Sequence, residues 1–122
     1  MRELINFLEN VNVIPVLMTL PPLDADRYFK WISKNSKEMR KNILKWLGSV
    51  TKIYWWQEKC NSAILSIAEE TKTRLIDIRS TFLNYTDFRQ FFCKDGIHPN
   101  DEGYRIIADK IQQYLQKIIT IF

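Results

Sequence analysis

Residues 13–22 read VIPVLMTLPP, and whether this stretch is a strand decides the fold. Val13, Ile14 and Val16 are β-branched, and Val13 to Leu20 is apolar apart from Thr19, without alternation. A continuous apolar run of this length is the pattern of a strand covered on both faces. Pro15 has no N–H to give a ladder and so belongs near a strand end, and Pro21-Pro22 stops the run.

Working outward, Leu4, Ile5, Phe7, Leu8 and Val11 recur at helical spacing, which predicts an amphipathic helix over the first ten residues. Asn10 and Asn12 mark the break before the strand. After it the pattern turns helical from Asp24 to Gly48, with Ser36 as an N-cap between two helices and Gly48 as a stop. Ile53, Trp56, Cys60, Ile64, Ile67 and Ala68 keep steps of three and four, so a third helix is expected to reach about Thr71.

Arg74-Leu75-Ile76-Asp77-Ile78 reads as a second strand, followed by an irregular aromatic-rich stretch through Phe82, Tyr85, Phe88, Phe91 and Phe92. Ile106, Ile107, Ile111, Leu115 and Ile118 give a last helix, capped by Asn100 and with Asp101 and Glu102 in its first turn, where acids favour the helix dipole. Strands separated by helices imply parallel pairing, so the class is α/β. Two strands alone leave sheet edges and apolar surface uncovered, so more strands are expected than these 122 residues supply.

The size fits one domain, and 46% hydrophobic with 26% charged residues excludes a disordered composition. The longest apolar run is too short for a membrane-spanning helix. Met1-Arg2-Glu3-Leu4 lacks the apolar core of a secretory signal, so, if Met1 is the true start, a cytoplasmic location is expected. Cys60 and Cys93 are too few and too far apart for a disulfide framework or zinc ribbon, and with a single histidine no metal set is foreseen. Both cysteines are read as reduced, packed thiols.

That histidine stands in KDGIHPNDEGY, residues 94–104. A carboxylate three residues before an imidazole can accept its Nδ1–H, fixing the tautomer and leaving Nε2 free to take a proton from a hydroxyl. Gly96 lets the backbone bend sharply between Asp95 and His98. The plain alternative is an Asp-Gly surface turn with a histidine before a proline.

KDGIHPNDEGY with the helix that follows it resembles the last block of the SGNH, or GDSL, hydrolases. In that family a DxxH motif supplies the catalytic aspartate and histidine, and Asp95 and His98 are the matching positions. VIPVLMTLPP resembles the family's fourth strand and the loop after it, and RLIDI its fifth strand. The resemblance implies the C-terminal part of a three-layer α/β/α, flavodoxin-like fold, residues 1–122 forming one partial domain whose N-terminal strands are missing. It implies a serine esterase or acylhydrolase with His98 as general base and Asp95 orienting it, acting on a small-molecule, carbohydrate or lipid ester, with no cofactor.

The family's nucleophilic serine lies in a GDS-type block, and its oxyanion hole adds a glycine and the asparagine of a GxND block; none is present here. Ser33, Ser36, Ser49, Ser62, Ser66 and Ser80 are the available serines, and none has a Gly-Asp-Ser setting. Without nucleophile and oxyanion donors His98 has nothing to activate, so the chain alone is expected to be close to inactive. The competing reading is a non-catalytic half-domain that associates with itself or another chain through its open sheet edge and binds an anionic partner.

Lys34, Lys37, Lys41 and Lys45 form a basic stripe, with Lys30 and Arg40 nearby. A solvated helix face accounts for it; a surface for anionic lipid, polysaccharide or nucleic acid is the second reading, with nucleic acid not the expected partner. Trp31, Trp46, Trp55 and Trp56 are expected mostly in the core, with Trp55 or Trp56 also placed to line the substrate pocket that the resemblance implies. Asp77 is read as a helix or turn cap, and Asp87 as a surface or capping acid.

Overall fold

The computed structural model describes residues 1–121, with side chains described to Thr120. Its elements run α1 (Arg2–Asn10), β1 (Val16–Met18), α2 (Ala25–Ile32), α3 (Lys37–Leu47), α4 (Thr51–Thr71), β2 (Arg74–Ile76), α5 (Ile78–Leu83), a 3-10 turn (Phe88–Phe91) and α6 (Asp101–Ile121). β1 and β2 pair in parallel, with Val16 opposite Arg74 and Met18 opposite Ile76. The crossover between them carries α2, α3 and α4. This is a helix-rich α/β fold with a small parallel sheet.

Local chemistry sets the boundaries. Asn12 sits at φ +62°, ending the turn after α1. The Ser36 hydroxyl caps α3 by accepting from the Met39 amide at 3.3 Å, and Gly48 at φ +91° ends it. The strand is shorter than the run 13–20 suggests, because Pro15 removes a donor just before Val16. Strand residues are also not covered on both faces: Val16 and Met18 remain 40% and 38% exposed. The free edge of β1 has no third strand beside it among the described residues, so its outward backbone N–H and C=O groups lack ladder partners.

The second strand ends at Ile76, and Ile78 opens a helix that the sequence reading took for strand and irregular chain. The cause is Asp77, whose carboxylate accepts from the Ser80 amide and caps α5. Thr19, just past β1, ties the two strand ends together. Its hydroxyl donates to Asp77 Oδ1 at 3.1 Å and accepts from the Arg79 amide at 2.9 Å. On the other side of the chain, the buried Asn61 of α4 accepts the Leu20 amide at 3.0 Å.

The core is aromatic and sits under the sheet's second half. Ile76, Ile78, Phe82, Phe91 and Phe92 form its buried centre, with Ile106, Ile107, Ile111 and Tyr114 of α6 packed against it. The expected tryptophan core is not found. All four tryptophans are more than half exposed, because on α3 and α4 the inward positions are held instead by Leu47, Asn61 and Ala68. Cys60 and Cys93 are free thiols as expected, but both are exposed rather than packed.

Candidate active site

Asp95 and His98 lie on the loop between the 3-10 turn and α6, and local pairing folds that loop back on itself. Phe92 and Pro99 form an antiparallel bridge. Within it the Cys93 amide donates to His98 O at 2.8 Å and the Gly96 amide to Cys93 O at 3.0 Å. Asn100 closes the exit: its side chain caps α6 through the Gly103 amide at 3.0 Å, and its Nδ2 donates to Gln90 O at 2.8 Å.

The loop is pinned to α2. Asp24 is buried, caps α2 through the Arg27 amide, and donates its own amide to Gly96 O at 2.9 Å. Arg27 Nη1 donates to the carbonyls of Arg89, Phe92 and Cys93 at 3.1–3.2 Å. Gly96 has φ +76°, and a Cβ there would stand 2.6 Å from Asp24 O, so only glycine fits this approach.

His98 Nδ1 lies 2.5 Å from Asp95 Oδ2. Oδ1 of the same carboxylate accepts the amides of Ile97 and His98 at 3.0 and 3.1 Å. Burial alone would raise the Asp95 carboxyl, but the His98 ring and these two amides hold it below the usual carboxylate range. An ionised carboxylate only accepts, so the proton in the short contact sits on Nδ1, and in the neutral ring Nε2 carries the lone pair. The Asp95 side chain is 16% exposed and the imidazole 66%, so the acid is sheltered and the base faces outward. Such a pair can take a proton from a hydroxyl placed at Nε2 and return it later.

His98 borders an open depression with Cys93, Pro99, Asn100, Asp101, Glu102 and Tyr104. Trp55 and Trp56 do not line it. Among the described residues no serine hydroxyl has the His98 ring as hydrogen-bond partner. Ser33 Oγ donates to Lys30 O, Ser36 caps α3, Ser49 Oγ accepts the Thr51 amide, and Ser80 Oγ donates to Asp77 Oδ2; Ser62 and Ser66 are exposed on α4. Asp77 is engaged as a cap and with Thr19, as its place at a strand end suggested.

The family model of GDSL-like lipase/acylhydrolase matches residues 1–111. The chain belongs to this family. The match spans both strands, the whole crossover and the Asp95–His98 loop. Among curated proteins no relative matches. Membership in the GDSL-like lipase/acylhydrolases associates this chain with ester hydrolysis and a small-molecule substrate. No helix among its described residues is long and apolar enough to cross a membrane.

Arg27 and Asp24 were not singled out as parts of the site from sequence. The start of a helix at Asp24 was legible, but the chain that Arg27 would reach, 62 to 66 residues away, was not.

Proposed function

We propose that residues 1–122 are the C-terminal, acid–base part of a GDSL-type serine ester hydrolase. His98 acts as general base, taking the proton of a serine hydroxyl at Nε2 and later giving it to the leaving alcohol. Asp95 keeps the imidazole in the Nδ1–H tautomer and stabilises the imidazolium as it forms. The nucleophile and the oxyanion donors come from outside this sequence, so the chain forms one partial domain and is close to inactive alone. The 2.5 Å contact between His98 Nδ1 and Asp95 Oδ2 carries the reading.

The test is to assay purified 1–122 on p-nitrophenyl acetate, alone and then with a GDSL N-terminal half supplied in trans or fused ahead of Met1. Background rates alone and His98-dependent hydrolysis after complementation support the proposal. Enzyme-like turnover by 1–122 itself, lost in His98→Ala, overturns the claim that its serine lies elsewhere; hydrolysis by the complemented protein that survives His98→Ala overturns the role of His98.

A second reading, a non-catalytic half-domain that self-associates, is favoured by one feature: Val13, Ile14, Val16 and Met18 are exposed beside the open edge of β1. A dimer in sedimentation equilibrium that dissociates on Val16→Lys, with no activity gained on complementation, would favour it over the first.

A further inference from the structure

The tryptophans of the β1–β2 crossover stand in water. Trp46 is 85% exposed, Trp31 57%, and Trp55 and Trp56 53% each. The same crossover concentrates positive charge. Residues 34–52 hold six basic side chains, Lys34, Lys37, Arg40, Lys41, Lys45 and Lys52, against one acid, Glu38, a surplus of +5. The whole chain carries +4, so everything outside this segment sums to −1.

On α3 the two chemistries are sorted by face. At about 100° per residue, Arg40, Ile43 and Leu47 share the inward side, and Leu47 is buried. Lys41 and Lys45 fall on the opposite, outward side, together with Glu38, the one acid of the segment. Met39 and Trp46 occupy one flank between them and Leu44 the other, and all three are exposed. In the first turns of α4, Lys59 Nζ stands 5.0 Å from the Trp55 ring and 5.4 Å from the Trp56 ring, so these aromatics too are paired with a cation.

A solvated face explains the lysines but not a tryptophan left almost wholly in water. A nucleic-acid surface explains lysines with aromatics but gives no use to Met39 and Leu44, and a neutral sugar surface gives no use to the charge. Basic residues flanked by exposed tryptophan and aliphatic side chains match the interfacial zone of an anionic bilayer, where ammonium groups meet phosphates and indoles lie among headgroups. We propose that α3 and the start of α4 dock this protein on an anionic lipid surface, Lys41 and Lys45 facing the headgroups and Trp46 inserted beside them. This rests on the charge and aromatic pattern of α3 and α4 and is independent of the Asp95–His98 chemistry.

The experiment is vesicle co-sedimentation of the 122-residue chain, with tryptophan emission recorded in parallel. Vesicles are phosphatidylcholine alone or with phosphatidylserine at roughly 7:3, in low and high salt. The expected result is partition onto the anionic vesicles only, weakened by salt, with a blue-shifted emission. Lys41→Gln with Lys45→Gln should lower partition about 25-fold, near 5-fold per lysine. Trp46→Gln should remove most of the blue shift, and Lys117→Gln on α6 should change neither. Circular dichroism checks that each variant is folded, and since Lys41, Lys45 and Trp46 are exposed, the lysine pair and Trp46 test the surface separately. Equal binding to both vesicle types, loss by Lys117→Gln as large as by the lysine pair, or retention on heparin without any vesicle binding would each overturn the proposal, the last assigning the surface to a soluble polyanion.

Discussion

Arg27 on α2 donates through Nη1 to the carbonyl of Cys93, two residues before Asp95, at 3.1 Å. The same nitrogen also reaches the carbonyls of Arg89 and Phe92, so one side chain ties the crossover to the entrance of the Asp95–His98 loop. Arg27→Met keeps the apolar stem and removes these bonds. It is expected to destabilise the fold by about 1–2 kcal/mol, since a charged donor is lost from three carbonyls, of which the bond to Phe92 is partly buried. Urea unfolding with an unchanged slope would show that the loss is one of stability rather than of denatured-state compactness.

Asp95→Asn tests the orienting role in the complemented enzyme. The amide no longer demands Nδ1–H, so the tautomer with its lone pair at Nε2 loses its support. A fall in kcat of roughly 10³–10⁴ with little change in KM is expected. A loss of less than about tenfold in steady-state kinetics would show that the contact holds the loop and does not serve proton transfer.

Two glycine substitutions should destabilise for different reasons. Gly96→Ala meets both a positive φ of +76° and the Asp24 carbonyl. Gly103→Ala sits in α6, where alanine ordinarily gains about 1 kcal/mol. Its Cβ would stand 2.3 Å from Phe91 O, so the sign reverses and the variant should melt lower than the parent. A higher melting temperature for Gly103→Ala would mean that α6 can slide away from the 3-10 turn at no cost.

Phe82 is fully buried, with ring centroids 5.4 Å from Phe92 and 6.2 Å from Phe91. Phe82→Ala should cost about 3–5 kcal/mol, a large share of the stability of a domain this size. Chemical denaturation of the variant, if it folds, reads the value directly.

Acid should weaken the fold through Asp95 and Asp77. For Asp77, burial works to raise the carboxyl, and hydrogen bonds from the Ser80 side chain, the Ser80 amide and Thr19 more than offset it. Both groups have folded-state pKa values below the unfolded value of about 3.9. Their stabilisation is therefore fully present above that pH and lost as pH falls through the folded values. Unfolding free energy measured between pH 6 and about pH 2.5 should drop less steeply in Asp77→Asn than in the parent.

What could be read beforehand divides by sequence distance. The Asp95–His98 pair spans three residues, so its geometry follows from one turn and was visible in the string KDGIH. Ser36, Gly48 and Asn100 were readable because caps are local. Arg27 meeting Cys93 and Asp24 meeting Gly96 are products of the crossover and leave no local mark. Ile78 was misplaced into the second strand because its apolar neighbours outweighed a capping aspartate in the reading of RLIDI. The tryptophans were misplaced because helical spacing identifies a stripe without saying which stripe turns inward; on α3 the inward one belongs to Leu47.

The register that sets Val16 against Arg74 joins positions 58 residues apart. Closing a loop of that length costs roughly 3–4 kcal/mol of chain entropy before a single ladder bond repays it. The helices of the crossover need no such closure, and their turns form within microseconds. The meeting of two three-residue strands is therefore the step that topology makes slow, and helix formation is not. The side of β1 that stays unpaired in the finished fold keeps a ready template for another strand, so a newly made chain exposes there the edge along which two copies would stick to one another.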